Sequence, residues 1–287
     1  MSNNIFSAPT AQLSELNNLF IELTAKNCNQ RCKHCYIDFP LSKNVKDFIA
    51  IDKIRQALTD TKQEKVECIY LTGAEPMTHP EFNSILRLCL KRANVCICTN
   101  ASFINEKKAR FLKKVEEESA NEIIFKLSVD HFNEVKNDDL RGRGSYRQTI
   151  NAIKSLVKYD FNPVLNIVNY YNEEKKVLMS EFKTICDNIG FEANDFNFQI
   201  SEYYNKYKTP SETDKWGKNS NLDCKNGRIL TDKGVYVCPF LANDHRGRMG
   251  SDFKDFSKKM PLETNFCFSC SQNTGKIFGV DFKLLQD

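Results

Sequence analysis

The stretch "CNQRCKHCY", Cys28 to Tyr36, directly follows the apolar run "LFIELTA" (19–25) and packs three cysteines into eight residues. A structural zinc site or a closed iron–sulfur cluster takes four protein ligands. A loop with three thiolates either recruits a distant fourth ligand or keeps one metal position open. Zinc would recruit His34, but His34 is the chain neighbour of Cys35, where joint tetrahedral ligation is cramped. Soft thiolates also suit a [4Fe–4S] cube. On that reading Cys28, Cys32 and Cys35 cap three irons, and the fourth iron stays open to a substrate or cofactor.

Working outward, five more β-branched or apolar runs follow: "ECIYLTG" (67–73), "NVCICTN" (94–100), "IIFKLSV" (123–129), "PVLNIVN" (163–169) and "FNFQIS" (196–201). Amphipathic helical patterns lie between them, at 51–63, 80–92, 105–118, 145–159 and 174–189. Alternation of this kind predicts βα units and a parallel sheet. Six units are too few to close an eight-stranded barrel. The expected fold is α/β, a partial (β/α)6 TIM-type barrel over 19–201, with function at the C-terminal strand ends. The polar residues fall on that rim: Cys28, "TGAEP" (72–76), Thr99-Asn100, "SVDH" (128–131) and Asn169.

Beyond 201 the texture changes. Residues 202–222 are polar and aperiodic, a linker or lid, and 223–287 form a second, smaller unit; residues 1–18 are an N-terminal extension. "GRILTDKGVYVC" alternates around Asp232-Lys233-Gly234 and predicts a β-hairpin ending at Cys238. "FKDFSKKM" (253–260) reads as a short helix. Cys224, Cys238, Cys267 and Cys270 gather here, and four thiolates can close a metal site; zinc-ribbon ligation fits the spacing too, so the metal stays open. The remaining cysteines, at 68, 89, 96, 98 and 186, lie in apolar runs and read as small buried hydrophobes.

Composition narrows the classes. The 287 residues carry 41 Lys+Arg against 37 Asp+Glu, a net charge of +4, too little to argue for nucleic acid. No eighteen-residue apolar span or signal-type N-terminus is visible, so no membrane partner is expected and a cytoplasmic location is. In that compartment twelve cysteines call for a reason other than disulfides.

With these residues in place, the chain resembles the radical SAM superfamily. "CNQRCKHCY" has that family's C-x3-C-x2-C form after a first strand, and the likeness extends over about residues 19–201. It implies that S-adenosylmethionine (SAM) chelates the open iron and is cleaved by one electron, supplied by a reductant such as flavodoxin or ferredoxin. The resulting 5′-deoxyadenosyl radical then removes a hydrogen atom from substrate. His34 holds the position from which an aromatic residue approaches the adenine. "TGAEP" is similar to the Gly-Gly-Glu-Pro motif that binds the SAM amino group: Gly73 and Glu75 match, and Ala74 replaces the second glycine. Ser128 and then Asp130 match the segment near the ribose. Arg141 matches an arginine that pairs with the SAM carboxylate; the plain alternative is that it only precedes a helix capped by Ser145. Asn100 and Asn169 are further candidate SAM contacts, or simple strand terminators.

The C-terminal cysteines resemble the twitch extension of the same family, the shorter relative of SPASM. That likeness implies an auxiliary [4Fe–4S] cluster on Cys224, Cys238, Cys267 and Cys270, although the glycine-to-cysteine interval is three residues rather than four. A fully ligated cluster suits electron transfer, hence oxidation or cross-linking of a peptide or small natural-product precursor. A cofactor-pathway enzyme acting on a nucleotide-like substrate is the second enzyme reading. A non-enzymatic iron–sulfur carrier or sensor is the third, and it has no use for the "TGAEP" and "SVD" rim. Arg246 and Arg248 are candidates for binding an acidic substrate, and His245, Asp130, Tyr170 and Tyr203 for acid/base work.

Overall fold

The computed structural model describes residues 10–37, 46–203, 223–262 and 264–272. After a short β1 (Thr10–Gln12), the six expected strands form as β2 (Asn18–Thr24), β3 (Cys68–Gly73), β4 (Asn94–Thr99), β5 (Ile123–Ser128), β6 (Val164–Asn169) and β7 (Phe198–Glu202). The helices between them are α1 (Ile51–Asp60), α2 (Phe82–Leu90), α3 (Glu106–Glu117), α4 (Glu134–Arg141), α5 (Ser145–Val157) and α6 (Lys175–Asn188). The C-terminal part contributes β8 (Gly227–Thr231), β9 (Gly234–Tyr236), β10 (Arg248–Gly250), β11 (Lys259–Pro261) and α7 (Asn265–Gln272).

Strands β2 to β7 pair in chain order, all parallel. The full sheet runs β10-β9-β8-β2-β3-β4-β5-β6-β7 and stays open, with β10 and β7 at its edges. Helices cover one face. Helix α2 shows why: its apolar residues Phe82, Ile85, Leu86, Cys89 and Leu90 repeat at helical spacing and are all buried. Each large aliphatic or aromatic side chain so buried contributes about 1.5–3 kcal/mol. The residues of opposite parity, among them Phe20, Tyr70, Cys96, Ile124 and Val164, form a second, smaller cluster on the other face. That face holds the site.

Several elements differ from the sequence reading. β8 is a seventh parallel strand, added on the free side of β2, so the predicted hairpin continues the barrel sheet. Gly234 at its turn has φ +140, and a Cβ there would sit 2.4 Å from the Gly250 carbonyl oxygen. The stretch "FKDFSKKM" is not a helix. Asp252 accepts the amides of Lys254 and Asp255, a local turn that competes with helical bonding. The chain then runs into β11, which pairs antiparallel with β1. Helix α4 has no apolar period to betray it, because two of its three buried residues are Asn137 and Arg141, which serve the site. The N-cap expected at Ser145 is supplied instead by Asp138, whose carboxylate accepts the amides of Gly144 and Tyr146 and the Ser145 hydroxyl. Of the expected 202–222 linker, all but Glu202 and Tyr203 lies outside the described residues. Among the described residues no helix is long and apolar enough to cross a membrane.

Candidate functional site

Strand β2 ends at Thr24, and the three-cysteine loop starts there. The Thr24 hydroxyl accepts the amides of Lys26 and Asn27, which turns the chain off the sheet. Further along, the Lys33 amide bonds the Leu140 carbonyl of α4, 2.9 Å away. On the neighbouring strand, Gly73 leaves the sheet with φ +119, and a Cβ there would lie 2.2 Å from the Thr24 carbonyl oxygen. Only glycine permits this approach, which also lets the Ala74 amide donate to the same oxygen at 2.7 Å. Ala74, in place of a second glycine, has no positive φ and is unstrained.

A cavity of about 470 Å³ opens beside this loop, well inside the range of small-molecule sites, about 300–1,000 Å³. It touches residues of all six strands from β2 to β7, so the sheet curves around it. Cys28, Cys32, Cys35, His34, Gly73, Asn100, Ser128 and Arg141 line it together. Burial pushes the Cys32 thiol up to about 11, against the opposing charge of Arg141.

Asp130, Glu75 and Asn169 stand behind this wall. The fully buried Asp130 carboxylate meets His34 Nε2 at 2.6 Å and Arg141 Nη1 at 2.9 Å, and accepts the Val168 amide at 3.0 Å. Burial works against its ionisation, but the charges of His34 and Arg141 outweigh it and hold the carboxyl well below the usual range. Arg141 also donates to Gln30 Oε1 at 3.3 Å. Its side chain is thus held by Asp130 and Gln30. Glu75 is wholly buried and accepts from Thr99 Oγ1 and the Asn100 amide, both at 2.8 Å, and from the Met77 amide at 3.1 Å. Its carboxylate faces the strand end rather than the cavity, and it orders Asn100, whose amide nitrogen lies 3.7 Å from Cys28 Sγ. Asn169 exchanges bonds with the backbone of Glu173 and ties its own loop.

The acid/base and arginine candidates of the C-terminal loop do not reach the cavity. The His245 side chain is 92% exposed and Arg246 pairs with Asp244 at 2.6 Å. Arg248 donates to Ser251 on the surface. Tyr203 does line the cavity, its ring tilted against that of Tyr170 with centroids 4.8 Å apart.

Two features escaped the sequence reading. Lys126 is only 6% exposed yet lines the cavity, as do its neighbours Cys98 and Asn166 on the adjoining strands. A charged residue inside the apolar run "IIFKLSV" was the available signal. The second feature is an aromatic wall: Tyr36 meets Phe240 edge-on at 5.6 Å, and Phe240 stacks on Phe266 at 4.8 Å. Each ring lies within two residues of a cysteine of one of the two groups.

Behind that wall, Cys224, Cys238, Cys267 and Cys270 all pack around one small core with Ala11, Val237, Leu241 and Met260. The Thr264 hydroxyl bonds Cys267 Sγ at 3.1 Å. Burial pushes the Cys238 thiol far up, with the charges of Cys267 and Cys224 adding to it. Among the described residues no three His, Cys, Asp or Glu side chains converge on a single ion position. Orphaned buried donors support the fit of a bound group at both cysteine sets: Arg141 Nε and Gln30 Nε2 at the first set, and Arg228 Nε at the second.

Residues 23–179, more than half of the chain, match the family model described as the radical SAM superfamily. The chain belongs to the radical SAM superfamily. Membership implies SAM and a [4Fe–4S] cluster as cofactors, and members are generally enzymes. A curated relative, a pre-heme d1 synthase of Dinoroseobacter shibae, is 23% identical over 172 residues, 58% of this chain and 39% of that protein. An uncharacterized protein of Archaeoglobus fulgidus is 26% identical over 159 residues, 55% of this chain and 36% of its own. The matches thus span under two fifths of these relatives' lengths. Among solved structures, anSMEcpe with bound AdoMet superimposes with TM-score 0.64 at 16% identity, over 84% of this chain and 78% of that one. SuiB of Streptococcus suis, bound to its precursor peptide SuiA, gives 0.62 at 16%, over 85% and 64%. At such identities these likenesses speak for the fold alone.

Proposed function

We propose that this radical SAM protein is an enzyme that binds SAM in the cavity and takes a hydrogen atom from a peptide or small natural-product substrate, oxidising or cross-linking it. Cys28, Cys32 and Cys35 would hold the SAM-binding [4Fe–4S] cluster; Cys224, Cys238, Cys267 and Cys270 would hold an auxiliary one. When bound, the first cluster and SAM supply the radical that opens an unactivated C–H bond, and the second supplies a redox-active neighbour. The observation carrying this reading is that one cavity is lined by all three cysteines of the loop and by Phe240 and Phe266 of the auxiliary region. The barrel's own residues do the rest. Arg141, fixed by Asp130, presents a guanidinium to the SAM carboxylate. His34, held by the same Asp130, offers a flat ring to the adenine. The Gly73 turn brings backbone close to the amino group, Ser128 faces the ribose, and Glu75 keeps Asn100 in place. The aromatic wall excludes water from the space between the two sites. A flavodoxin- or ferredoxin-type reductant and a cytoplasmic location belong to this proposal. Proteins of like fold bound to peptides support the peptide reading.

A second reading, a cofactor-pathway enzyme acting on a nucleotide-like substrate, draws support from the similarity to pre-heme d1 synthase and from the buried Lys126, which lines the cavity and suits an anionic group. Anaerobic reconstitution with analysis of iron, sulfide and zinc, followed by a SAM-cleavage assay, tests the proposal. About eight irons per chain and 5′-deoxyadenosine release are expected. About four irons plus one zinc would remove the auxiliary cluster, and zinc at both sites would remove the whole account.

A further inference from the structure

Arg228, on β8, is among the largest fully buried side chains of the protein, 1% exposed. A buried charge is costly unless paired: the effective penalty is several kcal/mol even after relaxation. Arg228 has no carboxylate partner among the described residues. Its Nη1 donates to the carbonyls of Cys224 at 2.5 Å and Gly227 at 2.8 Å, and its Nη2 to that of Lys258 at 3.1 Å. Its Nε–H has no partner among the described residues. The groups whose ionisation would act on its charge are the thiols of Cys224 and Cys238. A carbonyl cage satisfies hydrogen bonds but leaves a full positive charge without a counter-ion. Helix α7 brings Cys267 and Cys270 to the same small core, completing a set of four thiolates.

We infer that Arg228 is the buried counter-charge of the four-cysteine site and that it sets the potential of the cluster held there, biasing that cluster toward its reduced state. This rests on the proposed auxiliary cluster. The physical reason is short. A four-thiolate cluster is anionic and becomes more so on reduction, so a fixed cation bonded to the Cys224 carbonyl and shielded from water stabilises the reduced form more than the oxidised one. Net charge and hydrogen bonds around the sulfurs are recognised levers on such potentials. An electron-accepting site needs this bias, which is how the residue would serve an oxidation. Arg228 touches neither substrate nor cavity; it acts through the cluster.

The test is an EPR-monitored redox titration of the reconstituted full-length chain, comparing wild type with Arg228→Met and Arg228→Lys. Lysine keeps the charge but cannot bridge three carbonyls, so a clamp and a counter-charge are separated. At a poise that half-reduces the wild-type auxiliary cluster, Arg228→Met is expected to show about a tenfold lower ratio of reduced to oxidised cluster, a midpoint about 59 mV more negative. Arg228→Lys is expected to keep the wild-type midpoint while melting at a lower temperature. Should Arg228→Met fail to load iron, a loaded Arg228→Lys at the wild-type midpoint still upholds the counter-charge. An unchanged midpoint in loaded Arg228→Met overturns the inference, as does Arg228→Lys failing alongside it, because both outcomes describe a structural clamp. A wild-type chain with eight irons and an insensitive midpoint breaks this inference alone; zinc at the four-cysteine site breaks the auxiliary-cluster reading and this inference with it.

Discussion

The two cysteine groups are built in opposite ways. Cys28, Cys32 and Cys35 sit on one loop, launched by Thr24, at a cavity that polar residues of the five strands β3 to β7 also line. Cys224 and Cys238 flank the β8–β9 hairpin, and Cys267 and Cys270 share one face of α7, so the second group comes together only when three segments pack. The first group lines a cavity beside an arginine paired to Asp130; the second packs against a small apolar core, beside an arginine with no carboxylate partner among the described residues. A cavity suits a site that exchanges a small cofactor, and four thiolates gathered on one core suit a site that keeps all its ligands. The difference teaches that the same ligand chemistry is assigned its role by access and by the nearest fixed charge.

The largest expected effect breaks the two groups apart. Replacing Cys28, Cys32 and Cys35 together with Ala should abolish SAM cleavage while the iron of the second site remains. Replacing Cys267 and Cys270 with Ala should remove that second iron and leave SAM cleavage measurable. Iron analysis and 5′-deoxyadenosine release read both, and a SAM-cleavage loss in the second variant equal to the first would erase the distinction.

Next comes the charge pair of the open site. Asp130→Asn leaves the Arg141 guanidinium buried without its anion, a change that typically costs about 3–5 kcal/mol. Chemical denaturation of the variant measures it. The pairing depresses the Asp130 carboxyl, so its stabilisation is full above the unfolded value of about 3.9 and fades as pH falls below that. The difference between wild type and Asp130→Asn should therefore be flat at neutral pH and shrink in acid. A variant as stable as wild type at pH 7 would show that the pair carries no weight.

The smallest effect sits at Glu75. Burial pushes its carboxyl up to about 7, against hydrogen bonds from Asn100, Thr99 and Met77. An unfolded chain releases this proton near pH ~4.3. Between about 4.3 and 7 the folded protein binds the extra proton, so stability falls as pH rises, by up to ~1.4 kcal/mol per unit. Glu75→Gln should flatten that slope. Its SAM affinity, followed by calorimetry, should fall only through the loosening of Asn100, since the carboxylate does not line the cavity. A loss of a hundredfold or more would mean that Glu75 meets the SAM ammonium directly.

Much of the fold was legible because periodicity is local. Six strands and the helices α1, α2, α3, α5 and α6 announced themselves through apolar spacing. The parallel order followed from their alternation. Helix α4 stayed hidden because its inner face carries Asn137 and Arg141, polar residues chosen for the site rather than the core. The first cysteine loop was legible for the same reason as the strands: its three donors are chain neighbours.

Other assignments depended on what lies beside what. No spacing reveals that β8 completes the sheet at the edge of β2, since the two are some two hundred residues apart and only pairing energy joins them. Glu75 and Asp130 read alike on the rim, yet folding sends one carboxylate to Thr99 and Asn100 and the other to His34 and Arg141. Their acidities accordingly move in opposite directions: desolvation acts on both, but Asp130 pairs directly with His34 and Arg141, whereas Glu75 feels Arg141 only weakly beside its hydrogen bonds from Asn100, Thr99 and Met77. The sequence by itself determined the six barrel strands, five of the helices between them, the three-thiolate loop and the presence of four further thiolates. Tertiary packing alone decided which side chains face the cavity, that Lys126 is among them, and that Arg228 lies buried against the second group, because burial and the distance between charges are properties of neighbours in space and not of neighbours in the chain.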